Sequence, residues 1–221
     1  MDRKKIFIVN LSKWKIGEDG SELLGSMLVT RFQLEAMSRA DIPEKERVPF
    51  WLFVDEFQNF ATDSFATILS EARKYGLSLT LANQYIMQMT ESIQNAVFGN
   101  VGTTIAFQVW YHDAEILQQV FWGEKVLRSH DLMNLPKYDI YTKLLINGMP
   151  SPVFSATTFP PLRSLSTIDS EQDIAVIRRV IREKYTKPRE SIEWKIQSFA
   201  RKVLEEEKVF QEQKTVKKWW A

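Results

Sequence analysis

The stretch Pro49–Gln84, PFWLFVDEFQNFATDSFATILSEARKYGLSLTLANQ, decides the fold. An unbroken apolar run, Phe50–Val54, ends in the acid pair Asp55-Glu56. A helix-length segment follows, with Phe65, Ile68, Leu69 and Ala72 on one face, and Gly76 is placed to cap it. A second apolar run, Leu77–Ala82, ends in Asn83-Gln84. Apolar runs without alternation read as strands buried on both faces, which is the habit of parallel sheets. Two parallel strands joined by a helix present their polar residues at the carboxyl ends, where open α/β sheets bind ligands. Asp55, Glu56, Asn83 and Gln84 are therefore the first candidates for a site.

Working outward, Ile6–Leu11 is a short β-branched run expected to form a buried strand. Lys13–Gly20 reads as a loop. Asp19 with Glu22 is a plausible helix start, and helical spacing then runs to about Arg39. Gly25 and Ser26 on that helix leave room for another element to approach. Tyr85–Phe98 is expected to form short helical pieces, Gly102–Trp110 a fourth strand and His112–Phe121 a helix. Such alternation implies βαβ units with right-handed crossovers. Tyr138–Ile146 and Pro152–Thr158 read as extended segments around an Asn147-Gly148 turn. Past Pro160-Pro161 the composition changes. Ser164–Ser170 is polar, and Glu171–Tyr185 and Glu190–Gln213 read as helices separated by Pro188. A domain boundary is placed near Pro160, giving residues 1–160 as an α/β core and 161–221 as a helical extension.

The 221 residues carry 44% hydrophobic side chains, enough for a buried core, and a net charge of +1. Charge is distributed unevenly. Residues 163–221 hold 14 Lys and Arg against 10 Asp and Glu, a net +4, and residues 1–162 hold 15 against 18, a net −3. A basic tail of this kind is either a solvated helix surface or a nucleic-acid contact. The chain has no cysteine, which excludes disulfides and thiolate zinc sites and fits a cytoplasmic protein. No run approaches the roughly 18 apolar residues of a membrane span.

Several motifs carry no chemistry. G-x-x-x-x-G-K-[ST], the loop whose amides and lysine cradle phosphates, does not occur. Gly99-Asn100-Val101-Gly102 precedes a strand rather than a helix and reads as a tight turn. His112 and His130 lack metal-ligand spacing. Asp113 and Glu115 belong to a helix start, and Phe57, Phe60 and Phe65 to a core. Trp219-Trp220 is an aromatic pair by position alone.

The combination of DEF with SEARKYGLSLTLANQ at this spacing, preceded by VNLSKWKIGEDGSELLGSMLVTRFQLEAMSRADIPEKERVPFWLFV, resembles the C-terminal half of a bacterial conjugation ATPase. FGNVGTTIAFQVWYHDAE and KYTKPRESIEWKI continue the likeness from about Lys5 to Ile196. The family is the type IV secretion coupling proteins (TraG/TraD-like), within the FtsK/HerA-like RecA-fold motors. At Lys13-Trp14-Lys15 this chain carries Trp where relatives usually carry a small residue. The resemblance implies an α/β, RecA-like P-loop NTPase core, here its Walker B half, with a C-terminal helical extension. Relatives carry the Walker A half and a membrane segment upstream, so the chain is expected to be part of a longer motor, truncated or split.

The resemblance also implies roles. Asp55 would hold Mg²⁺ through coordinated water and so contact ATP, because Mg²⁺ takes hard oxygen ligands and keeps several waters. Glu56 would polarise the attacking water, and Gln84 would sense the γ-phosphate. Arg73, 11 residues before Gln84, would reach a neighbouring subunit as an arginine finger. Each has a plainer alternative. The acid pair can cap the following turn, Gln84 can bond a loop backbone, and Arg73, like Lys74, can complement a helix dipole. The implied cofactors are ATP and Mg²⁺. The implied partners are DNA, gripped through phosphates without sequence preference, further copies in a hexameric ring, and secretion-system proteins at the cytoplasmic face of the inner membrane. Two rival readings remain: a non-hydrolysing fragment that binds partners, and another FtsK/HerA-like DNA motor.

Overall fold

The two apolar runs of the deciding stretch pair with each other. In the computed structural model, which describes residues 1–61, 63–121, 127–160 and 170–219, Phe50 lies beside Leu77 and Val54 beside Leu81 in a parallel ladder. The chain divides into two units, Met1–Pro160 and Pro161–Ala221.

The first unit opens with a helical turn α1 (Lys13–Ile16) and the long helix α2 (Glu18–Met37). Gly17, at φ 79°, ends one and starts the other. The stretch expected as a loop is therefore largely helical, because a glycine with positive φ lets two helical turns follow in succession. Next come β1 (Phe50–Val54), α3 (Asp63–Glu71), β2 (Leu77–Leu81) and α4 (Glu91–Asn100). These are followed by β3 (Thr104–Ala106), α5 (Tyr111–Val120), α6 (Ser129–Met133) and β4 (Asp139–Lys143). The hairpin β5 (Leu145–Ile146) and β6 (Met149–Pro150) and the strand β7 (Phe154–Thr157) complete the unit.

β1–α3–β2 is the βαβ unit read from the sequence. Gly76, at φ 71°, closes it as the cap expected. Asn147 and Gly148, at φ 51° and 81°, make the turn of the β5–β6 hairpin, where both central residues need positive φ. The core gathers Phe57, Phe65, Ile68, Leu77, Ile93 and Phe121. Phe65 is fully buried, its ring tilted against Phe57 at 4.6 Å between centroids.

Three further expectations fail. Ile6–Leu11 is extended but joins no ladder, and Ile6 and Ile8 are 92% and 87% exposed. An apolar run becomes a strand only beside a partner, and β1 is paired on one side alone, with β2. β1 itself is not buried on both faces. It alternates, with Trp51 and Phe53 62% and 72% exposed, because helices cover one face of the pair. The fourth strand shrinks to β3 and leaves the parallel pair. It runs antiparallel to β4, which pairs antiparallel with β7.

Two tertiary contacts lock this arrangement. Gly25 of α2 lies under Phe60, so that a Cβ there would fall 2.2 Å from two ring carbons. This is the close approach that Gly25 was read to permit. Asp113 of α5, 3% exposed, accepts the Ile86 and Met87 amides at 3.0 and 3.3 Å. It thereby holds the short turn Ile86–Gln88 that follows Gln84.

Gly25→Ala should destabilise the first unit by about 1–3 kcal/mol through overpacking against Phe60, read as a lower denaturant midpoint. Asp113→Ala should cost about 1–3 kcal/mol by orphaning two amides, and hydrogen exchange of Ile86 and Met87 should quicken selectively. Unchanged exchange at those two amides would refute the assignment.

Candidate functional site at the strand ends

The ladder continues past the strands. The Ala82 amide donates to Val54 O, and the Phe57 amide donates back to Ala82 O, both at 2.9 Å. Between these bonds the chain turns at Glu56, whose φ of 49° and ψ of 47° lie in the left-handed region. A non-glycine residue there is strained by roughly 1 kcal/mol or more. The strain is held by the ladder on one side and by the turn Phe57–Asn59 on the other.

This turn brings two of the predicted residues together. Gln84 Nε2 donates to Glu56 Oε1 at 2.9 Å. Gln58 Nε2 donates to Glu56 Oε2 at 2.6 Å. Both carboxylate oxygens of Glu56 are thus oriented by neutral amides. Asp55 is exposed, and its Oδ1 accepts the Glu56 amide at 3.0 Å. Asn83 is half-buried at the end of β2.

Arg73 does not join them. It is exposed in the turn Ala72–Tyr75 that precedes β2, at the opposite end of the strands from Gln84. Five strand residues at about 3.3 Å each put roughly 16 Å between the two ends. Within one chain Arg73 cannot reach Glu56.

Beside the turn lies an open polar cleft of about 500 Å³, walled by Lys13, Glu18, Glu22, Gln58, Asn59 and Gln88 among others. Lys13 Nζ bonds Glu18 Oε1 at 2.5 Å. That hydrogen bond, with the charges of Glu18, Glu22 and Glu56, raises the lysine pKa above its ordinary value. Glu18 is lowered in return by the same hydrogen bond. Both side chains are open to solvent, so their pairing adds little to stability. Gln58 and Lys13 were not singled out in the sequence. For Gln58 the available signal was its place two residues after an acid at a strand end. For Lys13, 43 positions upstream of Glu56, there was none.

The donor set can be tested against a metal. Among the described residues no group of three or more His, Cys, Asp or Glu could hold an ion by itself. A single exposed carboxylate, Asp55, suits Mg²⁺ held through water with its remaining ligands from phosphate, and suits no all-protein cage. Neither His112 nor His130 lines the cleft. His112 lies 4.0 Å from Glu115 Oε2, on α5.

Residues 49–120, a third of the chain, match the family model described as the TraM recognition site of TraD and TraG. Among curated proteins none matches. Several solved structures are similar in part. The unbound bacterial conjugative coupling protein TrwBΔN70 is 17% identical, with 57% of this chain and 35% of that one covered, at a TM-score of 0.47. TrwB in complex with ADP and Mg²⁺ is 18% identical, with 64% and 40% covered, at 0.45. The genome packaging NTPase B204 of Sulfolobus turreted icosahedral virus 2, in complex with ATP-gammaS, is 12% identical, with 59% and 62% covered, at 0.41. The chain thus spans about two fifths of the length of the TrwB structures it matches. The resemblance to conjugative coupling proteins, read from DEF and SEARKYGLSLTLANQ, holds over residues 49–120.

Proposed function

We propose that this chain is the Walker B half of an ATP-driven, DNA-translocating coupling motor of conjugation or type IV secretion. The observation that carries the reading is the pair of hydrogen bonds from Gln84 and Gln58 to the two oxygens of Glu56. A carboxylate that only capped a turn would spend its oxygens on backbone amides. Glu56 spends them on side-chain amides, which fix its direction without neutralising its charge. The family match over residues 49–120 supports the same reading.

In this reading Glu56 orients and polarises a water, with Gln84 and Gln58 holding its carboxylate at the required angle. Asp55, one residue earlier and exposed, contributes a carboxylate to water-held Mg²⁺. Mg²⁺ would neutralise charge on the phosphates of ATP when both are bound. Gln84, at the adjacent strand end, would respond to the γ-phosphate, a role that the contact of its amide with Glu56 supports. Arg73, at the far end of the strand, serves a neighbouring copy, and assembly into a ring would bring it to that site. The phosphate cradle comes from a polypeptide segment that contributes G-x-x-x-x-G-K-[ST], since carboxylates cannot replace amides and an ammonium there. Residues 1–160 form the core portion of the motor and 161–221 its helical extension. DNA is held through phosphates, and the assembly works at the cytoplasmic face of the inner membrane. Among the described residues no helix is long and apolar enough to cross a membrane.

A second reading has its own support. The matched family model is named for recognition of TraM, so residues 49–120 also present a surface for a TraM-type partner protein. On this reading the chain docks a partner without hydrolysing ATP.

The two readings part on one substitution. In a motor assembled with its phosphate-binding half, Glu56→Gln should lower ATP turnover at least about 100-fold while leaving nucleotide affinity within about threefold. Retained turnover would end the catalytic assignment and leave the docking reading.

A further inference from the structure

The turn Ala72–Tyr75, which carries Arg73, ends in carbonyls that need partners from elsewhere. The Gly76 amide takes Ala72 O and Arg73 O. Lys74 O and Tyr75 O are left, the usual orphans of a helix end. Two arginines from the segment between α2 and β1 take them. Arg47 Nη1 donates to Lys74 O, and Arg39 Nη1 donates to Tyr75 O at 3.1 Å.

Both arginines are themselves held. Arg47 Nε and Nη2 donate to Ile42 O and Ala40 O at 2.8 and 3.3 Å, and its guanidinium carbon lies 5.8 Å from the centre of the Tyr75 ring. Arg39 is buried and paired with Asp2 at 2.7 Å. Both come close to Gly76: a Cβ there would lie 3.5 Å from Arg47 Cβ and 3.7 Å from Arg39 Nη1. Arg39 and Arg47 thus clamp the turn to the end of α2.

This clamp bears on the two readings of Arg73. A basic residue in the last turn of a helix commonly bonds the last carbonyls and complements the negative helix end. Here Arg39 and Arg47 do that work. The Arg73 side chain is exposed and, among the described residues, makes no hydrogen bond or ion pair. Its backbone is fixed and its charge is unpaired. We infer that Arg39 and Arg47 are positioning residues for Arg73. By capping the turn they leave its guanidinium available to a second copy and hold it beside the start of β2. The inference rests on the reading above in which Arg73 serves a neighbouring copy. Lysine cannot replace Arg47, because an ammonium lacks the planar fork that spans three carbonyls.

Mixed rings test the inference. Arg47→Met keeps the apolar stem of the side chain and removes its hydrogen bonds. In a motor assembled with its phosphate-binding half, Arg47→Met should lower kcat about 10- to 100-fold and leave KM for ATP within about threefold, since Arg73 acts on charge developed in the transition state. Arg47→Lys should behave alike. Arg47→Met copies mixed in equal amount with Glu56→Gln copies should recover about a quarter of the wild-type turnover, because about one head-to-tail interface in four joins an intact Glu56 to an intact clamp. Arg73→Ala copies mixed with Glu56→Gln copies are the reference. If they complement and Arg47→Met copies do not, the inference fails while the reading of Arg73 stands. If Arg73→Ala alone leaves turnover unchanged, that reading fails and the inference with it.

A second measurement needs no assembly. In the Arg47→Met chain, hydrogen exchange of the Gly76 amide should quicken about tenfold or more relative to that of Ala82. The Ala82 amide bonds Val54 O at the other end of the same strand pair. Equal quickening at both amides, or none at Gly76, would overturn the positioning role.

Discussion

The ladder between β1 and β2, carried one step beyond both strands, is the constraint on which the site depends. Val54 and Ala82 are joined at 2.9 Å, and Phe57 returns to Ala82 at 2.9 Å. The backbone between must reverse within two residues. Glu56 therefore takes a left-handed conformation that an L-residue adopts at a cost. The same turn drops Phe57 into the core, 1% exposed, against Phe65. Burial of that aromatic pair offsets the strain, so the energetics of the core and the direction of the Glu56 carboxylate are one feature.

Support for the other strand end is built separately. Gln84 reaches Glu56 from the end of β2, and the chain after Gln84 is held by Asp113 through the turn Ile86–Gln88. The N–H groups of Ile86 and Met87 would otherwise lose water without gaining a partner, so the buried carboxylate serves packing and positioning together. Arg39 does similar work at the opposite end of the sheet. Its side chain, 2% exposed, donates to Tyr75 O at 3.1 Å and to Asp2 at 2.7 Å. That tie fixes the start of β2, next to the turn that carries Arg73. The two ends of the parallel pair are thus anchored independently, and Arg73 and Glu56 belong to different ends of the unit. A reaction that needs both would draw them from different copies.

Much of the first unit was legible because its signals are local. The runs Phe50–Val54 and Leu77–Leu81, the cap at Gly76, the Asn147-Gly148 turn and the small residue at Gly25 each state their conformation in a few neighbouring side chains. The misread strands share one cause. Whether Ile6–Leu11 pairs, whether Trp51 and Phe53 are covered, and which strand takes β3 depend on what lies alongside, and no window of sequence contains that information. The helical extension is the converse case. Its helices, Ser170–Tyr185 and Arg189–Trp219, follow from spacing, and their apolar stripes are exposed in the single chain.

By itself the sequence determined the βαβ unit, the strand-end position of Asp55, Glu56 and Gln84, and the likeness to conjugative coupling proteins, because periodicity and motif are properties of contiguous residues. The tertiary structure alone decided that Gln84 and Gln58 bond the two oxygens of Glu56, that Lys13 sits in a cleft beside them, and that Arg73 faces away. Those facts depend on the left-handed turn at Glu56 and on which strand ends are brought side by side. Both are set by hydrogen bonds between segments some 28 residues apart, as Glu56 and Gln84 are, and no local preference of the chain encodes them.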